Sequence, residues 1–128
     1  MPRPGITNIS NAATTILDQV SAITETTATF EFDETAAGEQ TAFTLTIAAR
    51  AVIGGIWLDL VNVTQNTTVR VYHQIDGTNY REFQENAWVV ADSDGVLIDG
   101  FNAYRNVRVT LQCAGGGGGS VDVRWVVV

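Results

Sequence analysis

The sequence predicts an all-β protein: a single β-sandwich, a jelly roll or related Greek key, of eight or nine short antiparallel strands behind an extended N-terminal arm. Three observations predict it. Apolar and polar residues alternate with period two in run after run from about residue 28 onward. Turn sequences (TAAGEQ, TQNT, DGTN, DSDG, DGFN) separate these runs at short spacing. Uninterrupted helical periodicity is scarce, and no period of about 20–50 residues points to a solenoid or propeller.

Each element follows in chain order. Residues 1–11 read as an arm, because Pro2, Pro4 and Gly5 oppose regular structure while Ile6 and Ile9 give it something to bury. The domain spans 12–128. NAATTILDQVSAIT places Ile16, Val20 and Ile23 at helical spacing, but its Thr and Val content suits a strand as well. TATFEFD sets Phe30 and Phe32 on one face, and AFTLTIA sets Phe43, Leu45 and Ile47 inward. GIWLDLVNV puts Ile56, Leu58 and Leu60 inward and Trp57, Asp59 and Val61 outward. TVRVYHQID alternates Val69, Val71, His73 and Ile75 with Arg70, Tyr72 and Gln74. These last two runs read as a hairpin centred near Gln65 and Asn66. Its register would put Leu60 opposite Val71, Leu58 opposite His73, and Asp59 opposite Tyr72 and diagonal to Arg70. NVRVTLQC turns Val107, Val109 and Leu111 inward, and SVDVRWVVV does the same with Val121, Val123, Trp125 and Val127.

The glycine run before the last strand raises its own question. Six residues, 115–120, span about 12–15 Å on average and near 20 Å at most. That suffices for a hairpin return beside NVRVTLQC, and also to carry the last strand to a neighbouring subunit. The run reads as a passive connector. The inward residues of the last strand, rather than loop chemistry, would set its register.

Composition narrows the function classes. The net charge is −7, and all seven basic residues are arginines. An acidic chain with scattered arginines is a poor ligand for nucleic acid or anionic membrane. The single cysteine, Cys113, excludes an intramolecular disulfide and reads as a small buried hydrophobe. No run is long enough to span a bilayer as a helix, and the first residues lack the apolar core of a secretory signal, so use without Sec export is expected.

Catalytic constellations are not visible, and no cofactor or metal is expected. His73 is the one histidine; at an inward strand position it reads as a histidine with a satisfied hydrogen bond. The acids are scattered singly, which suits solvated surface better than a carboxylate pair. Asp92, Asp94 and Asp99 in ADSDGVLIDG begin like a calcium loop, but no glutamate closes it and no helices flank it, so the stretch reads as an Asp-Gly turn rather than a calcium site. Trp57 and Tyr72 on one outward face, with Tyr80 and Trp88 near in sequence, could form a sugar-binding platform, but packing under another sheet or at a subunit contact is the preferred reading.

At VRVYHQIDGTNYREF (69–83) and NVRVTLQCAGGGGGSVDVRWVVV (106–128) the chain resembles the small β-sandwich virion proteins of tailed bacteriophages, of the capsid decoration and head-fibre type. The shared features are a strand entering an Asp-Gly-Thr-Asn-Tyr-Arg turn, a VRVTLQ strand, a small-residue loop and a valine-rich last strand. The resemblance implies a non-enzymatic virion protein on the outer capsid surface, made in the host cytoplasm. Its partners would be the major capsid protein or other virion subunits, and it would be a homo-oligomer. Ile6, Ile9, Trp57, Tyr72, Trp88 and Trp125 are the candidate assembly contacts. A tail or baseplate component is the near alternative, and a carbohydrate-binding or adhesion module is the alternative of another class.

Overall fold

The computed structural model describes residues 21–23 and 25–128. The arm at 1–11, with Ile6 and Ile9, lies outside the described residues, as does most of the segment at 12–23. The strands are β1 (Ser21–Ala22), β2 (Thr26–Asp33), β3 (Gln40–Leu45), β4 (Ala51–Asp59), β5 (Thr67–His73), β6 (Arg81–Trp88), β7 (Gly95–Ala103), β8 (Val107–Cys113) and β9 (Ser120–Val127). Among the described residues there is no helix.

The strands form two sheets. One runs β7-β4-β9-β2, and the other runs β3-β8-β5-β6. All of these pairings are antiparallel. The short β1 alone runs parallel, joining β4 at Ala51 and Val52, where β9 no longer covers it. Every connection from β2 to β9 crosses from sheet to sheet, except the β5–β6 hairpin. That connectivity is a jelly roll.

Alternation explains the layers. β5 buries Thr67, Val69, Val71 and His73 and half-buries the residues between them. β8 and β9 bury Val107, Val109, Leu111, Val123, Trp125 and Val127. Trp125 of β9 stacks on Phe43 of β3, ring centroids 3.9 Å apart, and so joins the two sheets through the core. Each such large apolar side chain contributes about 1.5–3 kcal/mol by leaving water. In β4 the phase slips at Gly54–Gly55, so Ile53 and Ile56 both point inward; Ile98 and Phe101 of β7 slip with them.

Two expected pairings are corrected. β4 and β5 are not a hairpin, since they lie in opposite sheets, β4 beside β7 and β9, β5 beside β6 and β8. Leu60 and Val63 are the physical reason: both side chains are buried, so the connection after Asp59 arches across the end of the sandwich to the other sheet instead of turning back beside β4. Asp59 consequently faces Arg124 and Gly95, not Tyr72. Nor does β9 return beside β8. It inserts between β2 and β4 of the other sheet, in its own chain.

The glycine run is an arch between the sheets, and it is not passive. Gly115 and Gly116 adopt φ of 80° and 81°, where side chains are strained. The Gly116 N–H donates to the Thr35 carbonyl (3.3 Å) and the Gly117 N–H to the Glu34 carbonyl (2.9 Å), while the Glu34 N–H donates to the Gly119 carbonyl (3.0 Å). A Cβ at Gly117 would sit 2.7 Å from the Cβ of Glu34. Glu34 itself is only 2% exposed. Its carboxylate accepts from the Thr64 backbone N–H at 3.0 Å and from the Thr64 hydroxyl. One acidic residue thus ties the β2–β3, β4–β5 and β8–β9 crossings together. Cys113 lies buried beside it, as a small hydrophobe should.

Candidate functional site

Pairing of β3, β8, β5 and β6 assembles the outer face of one sheet from residues far apart in sequence. Tyr72 stands opposite Arg108 and Arg70 opposite Thr110 across β5 and β8; Thr41 of β3 faces Thr110. Between them lies a cleft of about 280 Å3 lined by Glu39, Thr41, Tyr72, Tyr80, Arg108 and Thr110.

The two arginines on this face differ. Arg70 is engaged on all sides: its Nε lies 3.2 Å from Glu82 and 3.7 Å from Glu85, and its Nη1 donates to Gln112 Oε1 at 2.6 Å and lies 3.8 Å from Glu39. Arg108 is held instead by the Tyr80 ring, with the guanidinium carbon 3.9 Å from the ring centroid. Its Nε is buried without a hydrogen-bond partner. An unmet buried donor costs about 1–3 kcal/mol, more for a charged group.

Glu39 is the acidic counterpart. Its Oε1 accepts hydrogen bonds from the Tyr72 and Thr110 hydroxyls, both at 2.5 Å. Burial works to raise this carboxyl. The bonds from Thr110 and Tyr72, with the charges of Arg70 and Arg108, outweigh it and hold the group below the ordinary range. Tyr72 responds in the opposite sense: burial and its bond to the Glu39 carboxylate push its hydroxyl up to about 12. Folding therefore favours the protonated phenol. That stabilising contribution is complete below the ordinary value of 10.0 and is lost as pH rises towards about 12. A tyrosinate absorbance titration should show a phase near pH 12 that Tyr72→Phe removes; absence of any phase above about pH 11 would contradict the Glu39–Tyr72 bond.

Tyr80 reaches the cleft from a rigid turn. Asp76 Oδ1 accepts from the backbone N–H groups of Thr78 (2.9 Å) and Asn79 (2.7 Å). The N–H of Asn79 above all, then that of Thr78, draws the Asp76 carboxyl down to about 2. Gly77 supplies the positive φ that the turn requires.

The sequence-predicted contacts scatter. Trp57 is 53% exposed, on the outer face of the opposite sheet from Tyr72, so the expected shared platform does not exist. Trp57 instead pairs with Leu97 on β7, itself 47% exposed, and with the half-buried Val126 on β9. A hollow of about 330 Å3 opens beside Trp57 and Leu97. Trp88 and Trp125 are core residues, 6% and 8% exposed, and offer almost no surface to a partner. The Trp88 indole N–H donates to the Ser93 carbonyl at 3.2 Å.

His73 is buried, and its Nε2 accepts from the backbone N–H groups of Tyr104 (3.1 Å) and Arg105 (3.2 Å). Desolvation lowers its pKa, so the ring is a neutral acceptor that closes the β7–β8 turn. Asp92, Asp94 and Asp99 are all exposed, the first two in the β6–β7 turn and the third on β7. Among the described residues no three His, Cys, Asp or Glu side chains gather as a metal site.

Sequence reading missed Glu39, Arg108 and Thr110. The outward phase of Arg108 and Thr110 was visible in NVRVTLQC, but their meeting with Tyr72 depends on the β5–β8 register.

No family model matches the sequence, and no curated protein is significantly similar to it. Solved structures share the fold. The pre-peptidase C-terminal domain of a collagenase from Bacillus anthracis aligns over 85% of this chain and 94% of its own, at TM-score 0.51 and 18% identity. The Yersinia pseudotuberculosis-derived mitogen aligns over 82% of this chain and 86% of its own, at TM-score 0.50 and 12% identity. These likenesses support the β-sandwich fold.

Proposed function

We propose that the protein is a non-enzymatic structural component of a virion, a capsid decoration protein that binds and reinforces the outer shell as a homo-oligomer. The supporting observation is the apolar stripe Leu97–Trp57–Val126 across the outer face of the β7-β4-β9-β2 sheet. Jelly rolls serve as capsid and lectin domains, and an exposed tryptophan flanked by aliphatic residues is the kind of anchor that dominates protein interfaces. Attachment works by burying this stripe against a capsid subunit or another copy. A standard interface removes about 800 Å2 per partner from water.

Trp57→Ser with Leu97→Ser tests the reading. The pair should weaken capsid co-sedimentation by about 30-fold or more, as loss of an aromatic anchor worth about 2 kcal/mol implies. Thermal melting should change little, since both side chains are exposed. Unchanged co-sedimentation, or absence of the protein from purified virions by mass spectrometry, would overturn the proposal. The polar cleft favours a second reading, a carbohydrate-binding or adhesion module.

A further inference from the structure

We infer that the cleft between Arg108, Tyr80 and Glu39 binds a sugar acid, a single polyhydroxylated ring carrying one carboxylate. The inference deepens the carbohydrate-binding reading and is independent of the capsid reading, because Trp57 and Arg108 stand on opposite sheets.

Unmet hydrogen-bonding capacity defines the ligand. The Arg108 side chain makes no hydrogen bond or salt bridge among the described residues, and its Nε is buried without an acceptor. The Tyr80 ring holds the guanidinium, whose carbon lies 3.9 Å from the ring centroid. A planar, preoriented guanidinium is a complement to a carboxylate. Beside it, Glu39 spends Oε1 on Tyr72 and Thr110, while its Oε2 has no donor among the described residues. The Thr41 and Tyr80 hydroxyls line the same space. A cation without acceptors among the described residues thus adjoins a carboxylate oxygen without donors among them, and a carboxylate set among hydroxyl groups suits both.

Competing chemistries satisfy only one side. A neutral sugar offers Arg108 hydroxyl oxygens as acceptors but no opposite charge. A sulfate or phosphate meets Arg108 but brings no ring of hydroxyl donors to Glu39. The volume of about 280 Å3 lies just below the usual small-molecule range of about 300–1,000 Å3, which gives room for one ring rather than a chain.

The test titrates the full chain with D-glucuronate, D-glucose, L-alanine and sodium sulfate, following backbone amide shifts by NMR. Glucuronate should saturate and move the amides of Thr41, Tyr80 and Arg108. Glucose should bind about tenfold more weakly or not at all, as loss of one charged hydrogen-bond pair implies. Arg108→Gln should lower glucuronate affinity by about the same factor, while Arg124→Gln on the opposite sheet leaves it unchanged. Failure of glucuronate to saturate would overturn the inference, as would shifts confined to other residues. Equal binding of glucose, alanine or sulfate would do so too, since each lacks part of the proposed chemistry. Should Arg108→Gln not fold, the wild-type shifts and the Tyr80→Leu variant decide, with loss of affinity expected for the latter and retained affinity counting against the site.

Discussion

Truncation after Ser120 yields a chain that does not fold. β9 is an interior strand: it pairs with β2 along its whole length, from Ser120↔Asp33 to Val127↔Thr26, and with β4 from Ile56 to Asp59. Its loss leaves two facing strand edges without partners. It also strips Val123, Trp125 and Val127 from the core and unstacks Phe43. The apolar loss alone is of order 6–11 kcal/mol, against a net stability of about 5–15 kcal/mol for a domain. Circular dichroism should show no cooperative melt, and light scattering should show aggregation through the freed edges. A truncated protein that melted cooperatively would mean that β9 is dispensable, contrary to its place between β2 and β4.

Deleting Gly115 and Gly116 destabilises the protein by about 2–4 kcal/mol, through lost hydrogen bonds and the polar groups they leave unmet. On sequence alone this deletion should be nearly neutral, because closure entropy depends only logarithmically on loop length. The structure reverses that expectation. The arch bonds to Thr35 and Glu34 through its own backbone, and its two left-handed residues aim those N–H groups. Shortening pulls Gly117 off the Glu34 carbonyl and disturbs the buried carboxylate bound to Thr64. Gly115→Ala should act in the same direction, since its Cβ would meet the Ala37 nitrogen at 2.9 Å on a backbone that disfavours any side chain. Urea denaturation measures both. A deletion variant within about 0.5 kcal/mol of wild type would restore the passive connector.

Face assignment was legible for most strand residues, though Ile75, expected inward with His73, is 65% exposed because it lies beyond the end of β5. Phe43, Leu45, Val69, Val71, His73, Val107, Val109, Val123, Trp125 and Val127 lie where alternation put them. Pairing was not legible. The hairpin expected around Gln65 and Asn66 is an arch, because Leu60 and Val63 are more stable buried than in a surface turn. Trp88 was expected at an assembly contact, yet the β6–β7 turn brings the Ser93 carbonyl to its indole nitrogen and closes it into the core. The cleft stayed hidden for the same reason. Glu39 and Thr110 are 71 residues apart, and only the β3–β8–β5 order makes them neighbours.

The sequence by itself determined that this chain makes strands, where most of them run and which side of each faces inward. Those properties are local: a side chain reverses direction at every residue of a strand, so the apolar pattern writes the face directly. Only the tertiary structure decided which strands are neighbours, that β9 belongs between β2 and β4, and that Tyr72, Arg108 and Glu39 share a cleft. Every strand offers the same backbone donors and acceptors, so hydrogen bonding alone does not select a partner. Selection falls to the burial of all inward faces at once, to Val63 and Trp88 as much as to the strands, and that is a property of the whole fold.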